Sequence, residues 1–135
     1  MTIQRSKERI NKTGEVFTPD WLVQEMLDAL PVDSFTDPTK TFLDPSCGDG
    51  NFLVAILKRK LDAGHPPLRA LSTVYGVELM ADNTEECRRR LKAIVVEYLP
   101  PNPTLLAGVD RILNHNIVNA DALTFDYDSW IPMFN

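Results

Sequence analysis

Three acidic residues, Asp44, Glu78 and Asp121, stand at or just beyond the ends of short apolar segments. If those segments are parallel strands, their carboxyl ends meet at one edge of a sheet, where open α/β folds bind their ligands. Taken singly, each acid could equally cap a helix or carry a solvated charge. Three acids at successive strand ends, one of them beside a glycine turn, favour a ligand site.

The turn after Asp44 is the strongest chemical feature, and it reads DPSCGDGNF over 44–52. Glycines let backbone approach a ligand closely, and a helix N-terminus behind them would favour an anionic group, either phosphate or carboxylate. Gly48 and Gly50 form G-x-G, but Leu53 replaces the third glycine of the dinucleotide fingerprint, which disfavours a dinucleotide. Glu78, at the end of the next strand, would suit both hydroxyls of a ribose.

Amphipathic helices must position these residues. Apolar side chains at helical spacing predict helices that begin near Thr18 or Asp20, at Asn51, and at Asn83. Thr18 or Asp20 is expected to cap the first helix, whereas Asn83 and Glu86 resemble a capping box for the third. The glycine turn is therefore predicted to lead directly into the second helix.

Short strands are predicted between the helices. They cover 41–44, 73–79 and 117–119. The stretch 65–67 reads as a loop, and a short helix could occupy 105–113. Alternating strands and helices imply right-handed crossovers and a parallel sheet of about three strands with flanking helices, an α/β fold. We place one domain over 18–127, with an arm over 1–17 and a tail over 128–135.

The charge balance argues against strong independent DNA binding. A formal net charge of −5 has the wrong sign for a protein that neutralises many phosphates. The basic cluster over 88–92 is read as solvated charge on a helix face. We expect no membrane partner, because no apolar run reaches the roughly 18 residues of a span. Without a secretion signal the chain is expected in the cytoplasm, with Cys47 and Cys87 reduced and no metal bound.

Four motifs resemble, in order, the amino-terminal cofactor signature of adenine-N6 DNA methyltransferases of restriction–modification systems. They are GEVFTP (14–19), FLDPSCGDGNFL (42–53), YGVEL (75–79) and NADAL (119–123). The likeness extends from about residue 14 to residue 127. It implies a partial Rossmann-like class I methyltransferase fold whose cofactor is S-adenosylmethionine.

The resemblance also implies which residues hold the methionine end of that cofactor. Thr18 and Asp44 would contact it, and the backbone of the following turn would wrap around it. The turn residues so implied are Ser46, Cys47, Gly48 and Gly50. We expect the Cys47 side chain to be a small buried apolar group rather than a nucleophile.

The nucleoside end is implied by the third and fourth motifs. Glu78 would hold the ribose, and Asp121 would accept a hydrogen bond from the adenine amino group. Leu79 and Ala122 would flank the adenine ring as apolar walls. From these roles, Glu78→Ala is expected to abolish cofactor binding with little loss of fold.

The family's catalytic motif, Asn/Asp-Pro-Pro-Tyr/Phe, has no match in the 135 residues. That motif holds a flipped adenine beside the methyl donor. We therefore assign no catalytic residue here, and we expect an inactive chain that is a truncated portion or one half of a split methyltransferase. The alternative is a non-catalytic module that binds S-adenosylmethionine or a restriction–modification partner as regulator or decoy.

The missing fourth strand has a consequence for partners. It would leave one edge of the 41–44 strand unpaired, and an exposed hydrophobic edge promotes association. The aromatic tail, an identical chain or a chain with the missing catalytic half is expected to cover it. DNA is expected to bind only weakly, or through such a partner.

Overall fold

Three parallel strands alternate with helices in the computed structural model, which describes residues 17–133. The strands are β1 (Phe42–Asp44), β2 (Val74–Glu78) and β3 (Ile117–Asn119). The helices are α1 (Asp20–Asp28), α2 (Asn51–Asp62), α3 (Pro67–Ser72), α4 (Ala81–Val95) and α5 (Pro103–Asn116). Short 3-10 turns cover Val32–Ser34, Val96–Tyr98 and Tyr127–Ser129. The predicted α/β class and its three-stranded sheet are confirmed.

The strands lie in the order β1-β2-β3. Because successive crossovers run in the same direction and such crossovers are right-handed, α2 to α5 belong on one face of the sheet. Gly76 of β2 points to this face, where a Cβ would lie 2.8 Å from Leu53 of α2. The side chain of Tyr75 points to the opposite face and contacts Trp130 from the chain's end. Helices therefore cover one side of the sheet.

The core lies between the sheet and these helices. Its fully buried apolar side chains include Leu57 of α2, Leu71 of α3, Leu91 of α4 and Ile112 of α5. No helix within residues 17–133 combines the length and the apolar character that a membrane crossing needs.

The cap of α1, the start of α4, the extent of α5 and the whole of α3 differ from the sequence prediction. Helix α5 covers Pro103–Asn116 rather than 105–113. Helix α4 begins after Met80, not at Asn83, which lies buried inside the helix. Helix α1 begins after Pro19, with no side-chain cap from its neighbours. The 65–67 loop leads into α3, whose first residue is Pro67. Proline is well suited to that position because its missing N–H would have had no helical partner, and α3 is too short to show a clear apolar period.

The C-terminal segment packs on the face of the sheet opposite to α2. The indole Nε1 of Trp130 donates to the His115 carbonyl at 2.8 Å, and the ring meets Tyr75 edge to face at 5.0 Å. This segment covers β2. Leu43 of β1, on the same face, remains 49% exposed, and among the described residues β1 pairs with β2 alone.

Candidate cofactor site

The carboxyl ends of the three strands meet as predicted. Asp44 of β1 and Glu78 of β2 lie close enough to interact electrostatically. Burial raises the pKa of the Asp44 carboxyl, the charge of Glu78 raises it further, and the Ser46 N–H opposes both. Asn119 joins the end of β3 to the end of β2, because its Nδ2 donates to the Glu78 carbonyl at 3.0 Å. One edge of the sheet therefore concentrates negative charge.

The glycine turn takes the backbone shape that its composition predicts. Gly48 has a φ of +56° and Gly50 a φ of +101°, in the left-handed region that favours glycine. A Cβ at Gly48 would lie 3.1 Å from the ring of Phe17. A Cβ at Gly50 would lie 2.9 Å from the Cys87 Sγ of α4. Gly48 thus faces the candidate site, whereas Gly50 is required for packing against α4.

A small cavity of about 80 Å³ lies between the turn and the segment that precedes α1. It is lined by Phe17, Thr18, Asp44, Ser46, Cys47, Gly48, Asp49, Asn51 and Phe52. The structure therefore brings together the residues predicted for the methionine end of the cofactor, except Gly50. Phe17, Asp49 and Asn51 were not singled out by sequence reasoning, although all three lie in or beside the quoted motifs.

Glu78 is buried and already hydrogen-bonded inside the protein. Its Oε1 accepts from the Gly48 N–H at 3.1 Å, and its Oε2 accepts from the Met80 N–H at 2.8 Å and from Asn83 Nδ2 at 3.3 Å. Because the carboxylate joins the glycine turn to the start of α4, its partners are not ribose hydroxyls alone, and we expect Glu78→Ala to reduce stability as well as cofactor binding. Carboxylate oxygens can accept further bonds, so a role towards a ribose is compatible with these contacts.

The residues predicted for the adenine end lie at the surface. Asp121 is exposed, and its Oδ1 accepts from the Leu123 N–H at 2.9 Å. The Ala122 carbonyl accepts from the Tyr127 hydroxyl at 2.9 Å. Leu79 is 58% exposed. None of these three residues lines the small cavity.

Cys47 is buried, and its thiol contacts that of Cys87. The hydrogen bond with Cys87 raises the pKa of the Cys47 thiol, and burial raises it further. A thiol of this kind is a poor nucleophile, because the thiolate is the reactive form. The geometry supports the prediction of a small buried apolar side chain.

The comparison with known proteins decides the family. The sequence model described as N-6 DNA Methylase matches residues 2–91, which is more than half of the chain. The chain belongs to the N-6 DNA methylase family. The matched region contains the motifs at 14–19, 42–53 and 75–79, while the motif at 119–123 lies beyond it.

A curated relative of this family member is the Type II methyltransferase M.VspI of Vibrio sp. (strain 343). The two are 36% identical over 84 residues, which is 62% of this chain and 18% of the relative. The chain therefore spans less than a fifth of that protein's length. No solved structure matches the chain.

Proposed function

We propose that the chain binds S-adenosylmethionine and forms the cofactor-binding portion of an adenine-N6 DNA methyltransferase. The observation that carries the proposal is the cavity at which the Phe17–Thr18 segment and the glycine turn meet. S-adenosylmethionine carries positive charge on its sulfonium and α-amino groups. The neighbouring carboxylates of Asp44 and Glu78 supply the complementary charge in a partly buried place, where electrostatic attraction is less screened.

In this arrangement the methionine end lies in the small cavity, against Thr18 and the backbone of the turn. The ribose lies over Glu78, and the adenine lies between Leu79 and Ala122 with its amino group towards Asp121. The exposure of Leu79 supports this placement, because an aromatic base would cover that apolar side chain.

The titration of the purified chain with S-adenosylmethionine by calorimetry tests the proposal. We expect saturable binding of one cofactor per chain. Gly48→Val should abolish it, because the new side chain would collide with Phe17 and intrude on the cavity. Gly64→Val is the matched control: its φ of +91° imposes similar backbone strain, but nothing lies within 4 Å of its Cβ position. Equal binding by both variants would contradict the proposed site.

We further propose that a polypeptide with the catalytic half completes the enzyme by adding a strand to the free edge of β1. An apolar groove of about 280 Å³ runs along that edge. Its lining is Met26, Phe42, Leu43, Asp44, Phe52 and Ile56. Met26 and Leu43 are each 49% exposed there. Within residues 17–133 no strand pairs with this edge of β1. An unpaired strand beside an apolar groove is suited to strand addition, in which main-chain hydrogen bonds and side-chain pockets act together.

Analytical ultracentrifugation over a range of concentrations tests whether the edge of β1 mediates association. Without its complement, the wild-type chain is expected to self-associate through β1, and Leu43→Asp should shift it towards monomer. Leu123→Asp introduces the same charge at a leucine that is 94% exposed and distant in sequence, and it should change nothing. A wild-type chain that stays monomeric at high concentration would count against the edge and favour the stand-alone regulator or decoy.

DNA binding by this chain is proposed to be weak or to require the partner. The basic side chains of α4 are neutralised locally: Arg88 pairs with Glu85 at 2.6 Å, and Lys92 pairs with Asp110 at 2.7 Å. Few uncompensated cations are then left on this face for phosphates.

We also propose a cytoplasmic location, which suits the free thiols of Cys47 and Cys87.

A further inference from the structure

Arg90 joins three segments that are distant in sequence. Its Nη1 donates to the Asp49 carbonyl at 3.0 Å and to Asn51 Oδ1 at 2.9 Å. Asn51 Nδ2 in turn donates to the Thr18 carbonyl at 2.9 Å. A continuous chain of hydrogen bonds therefore runs from α4 through the first residue of α2 to the segment that covers the glycine turn.

Arg90 also lies beside the buried carboxylate of Asp49. Asp49 is 5% exposed, and its carboxylate Oδ1 lies 3.3 Å from Arg90 Nη1. A buried carboxylate needs a nearby cation, because removal of the cation leaves an uncompensated charge. The neighbouring arginines have other partners. Arg88 donates to the Ile117 carbonyl, and Arg89 forms an ion pair with Glu86 on the surface.

We infer that Arg90 and Asn51 are positioning residues, which hold the Phe17–Thr18 segment against the glycine turn and so keep one wall of the cofactor cavity in place. The inference rests on the proposed function for its effect on affinity. The wall itself is visible in the contact of Phe17 with the Gly48 position at 3.1 Å. Asn51 also lines the cavity, whereas Arg90 does not, so the positioning role of Asn51 is identified by a measurement made without cofactor.

Asn51→Asp separates this role from general folding. Aspartate is isosteric, it still accepts from Arg90, and a negative charge suits the start of α2. It loses the donor to the Thr18 carbonyl and sets a carboxylate oxygen against that carbonyl oxygen, so the anchoring contact is broken. We expect an unchanged melting temperature and about a five- to tenfold loss of affinity for S-adenosylmethionine, which corresponds to one hydrogen bond. Asn114→Asp on the exposed surface of α5 makes the same charge change and should have no effect.

Hydrogen exchange provides a readout without cofactor. The Leu22 and Val23 N–H groups donate to the Pro19 carbonyl, so they report whether the start of α1 is held. In Asn51→Asp these amides should exchange about tenfold faster, while the Leu106 amide at the start of α5 stays unchanged. Arg90→Met should accelerate the same amides, and Arg90→Lys, which keeps the cation, should partly restore protection.

Each outcome decides the inference. Faster exchange together with weaker binding supports it. Unchanged exchange of Leu22 and Val23 overturns the anchoring, whatever happens to affinity. Faster exchange with unchanged affinity overturns the positioning role, because the segment would then not belong to the cofactor site. If the wild-type chain binds no S-adenosylmethionine, the proposed function itself fails, and the exchange comparison still decides whether the two residues hold the segment.

Discussion

At the scale of single residues, the Glu78 carboxylate links three parts of the molecule. It accepts hydrogen bonds from the glycine turn at Gly48, from the backbone at Met80 and from the Asn83 side chain. Glu78 lies at the carboxyl end of β2, where we place a ribose. A ligand there would bind to a group that the fold has already oriented, so binding would need little reorganisation.

Glu78→Ala is expected to lower the free energy of unfolding by about 2 to 4 kcal/mol, because it leaves buried N–H donors without an acceptor. Urea denaturation of the unliganded chain measures this. Asp121→Ala, which removes an exposed carboxylate with one backbone partner, should cost less than about 1 kcal/mol. Equal losses in the two variants would show that the internal hydrogen bonds of Glu78 contribute nothing to the fold.

Lys60 is a second residue whose surroundings decide its chemistry. It is fully buried in α2, and its Nζ donates to the Lys40 carbonyl at 2.7 Å. Burial lowers the pKa of its ammonium to about 8, an effect that nearby Asp37 partly opposes. The folded chain therefore releases this proton at a lower pH than the unfolded chain does.

This shift predicts a pH dependence with a definite sign. Above about pH 8 the unfolded chain holds more protons than the folded one, so the Lys60 contribution to stability rises with pH until the unfolded lysine also titrates, near pH 10.5. Relative to Lys60→Met, the wild type should gain about 1 to 3 kcal/mol between pH 7 and pH 10. Parallel urea denaturation curves at several pH values measure this difference, and a constant difference would contradict it.

At the scale of elements, the close approach of α2 to β2 sets the position of the glycine turn. The approach depends on Gly76, where a Cβ would lie 2.8 Å from Leu53 and 2.9 Å from Cys47 Sγ. Because Leu53 belongs to α2 and Cys47 to the turn, the contact at this one glycine fixes both against the sheet.

Gly76→Ala is therefore expected to destabilise the fold by about 1 to 3 kcal/mol through overpacking and to weaken cofactor binding as the turn shifts. Gly108→Ala in α5 is the matched control, since its Cβ would meet only Leu68 at 3.9 Å. It should stabilise the helix by up to about 1 kcal/mol. Thermal and urea unfolding of the two variants should move in opposite directions, and a shift in the same direction would refute the close-packing argument.

At the scale of the whole molecule, the two faces of the sheet are covered by different means. Helices cover one face, while an aromatic cluster of Tyr75, Phe125, Tyr127 and Trp130 covers the centre of the other. Leu43 at the free edge stays half exposed. Among residues 17–133 the sheet is therefore covered at its centre and unpaired along the outer edge of β1, where we propose that a further strand binds.

Trp130→Ala should cost about 2 to 4 kcal/mol, because it uncovers Tyr75 and removes the hydrogen bond to the His115 carbonyl. Trp21 is 64% exposed on α1, and Trp21→Ala should cost less than about 1 kcal/mol. Urea denaturation compares the two. Similar values for both tryptophans would mean that the C-terminal segment does not stabilise the sheet.

The local features of the protein could be predicted from its amino-acid sequence. Apolar periodicity located the main helices, and short apolar runs between turn residues located the three strands, because each pattern is set by local backbone geometry. The glycine turn was predictable for the same reason, since Gly48 and Gly50 adopt left-handed torsions that other residues avoid. The order of the motifs was enough to predict the family. Helix α3 escaped prediction because it is too short to show a period.

The contacts between residues far apart in sequence could be seen only in the folded structure. Arg90 lies 41 residues from Asp49. Its sequence context predicts a solvated surface charge, and its contact with the turn arises only because α4 packs beside it. The internal partners of Glu78 and the docking of Trp130 onto Tyr75 were equally hidden. Such contacts depend on how helices cross a sheet and which face each side chain reaches. The pattern within any one segment does not contain that geometry, because it arises when segments far apart in sequence are packed together.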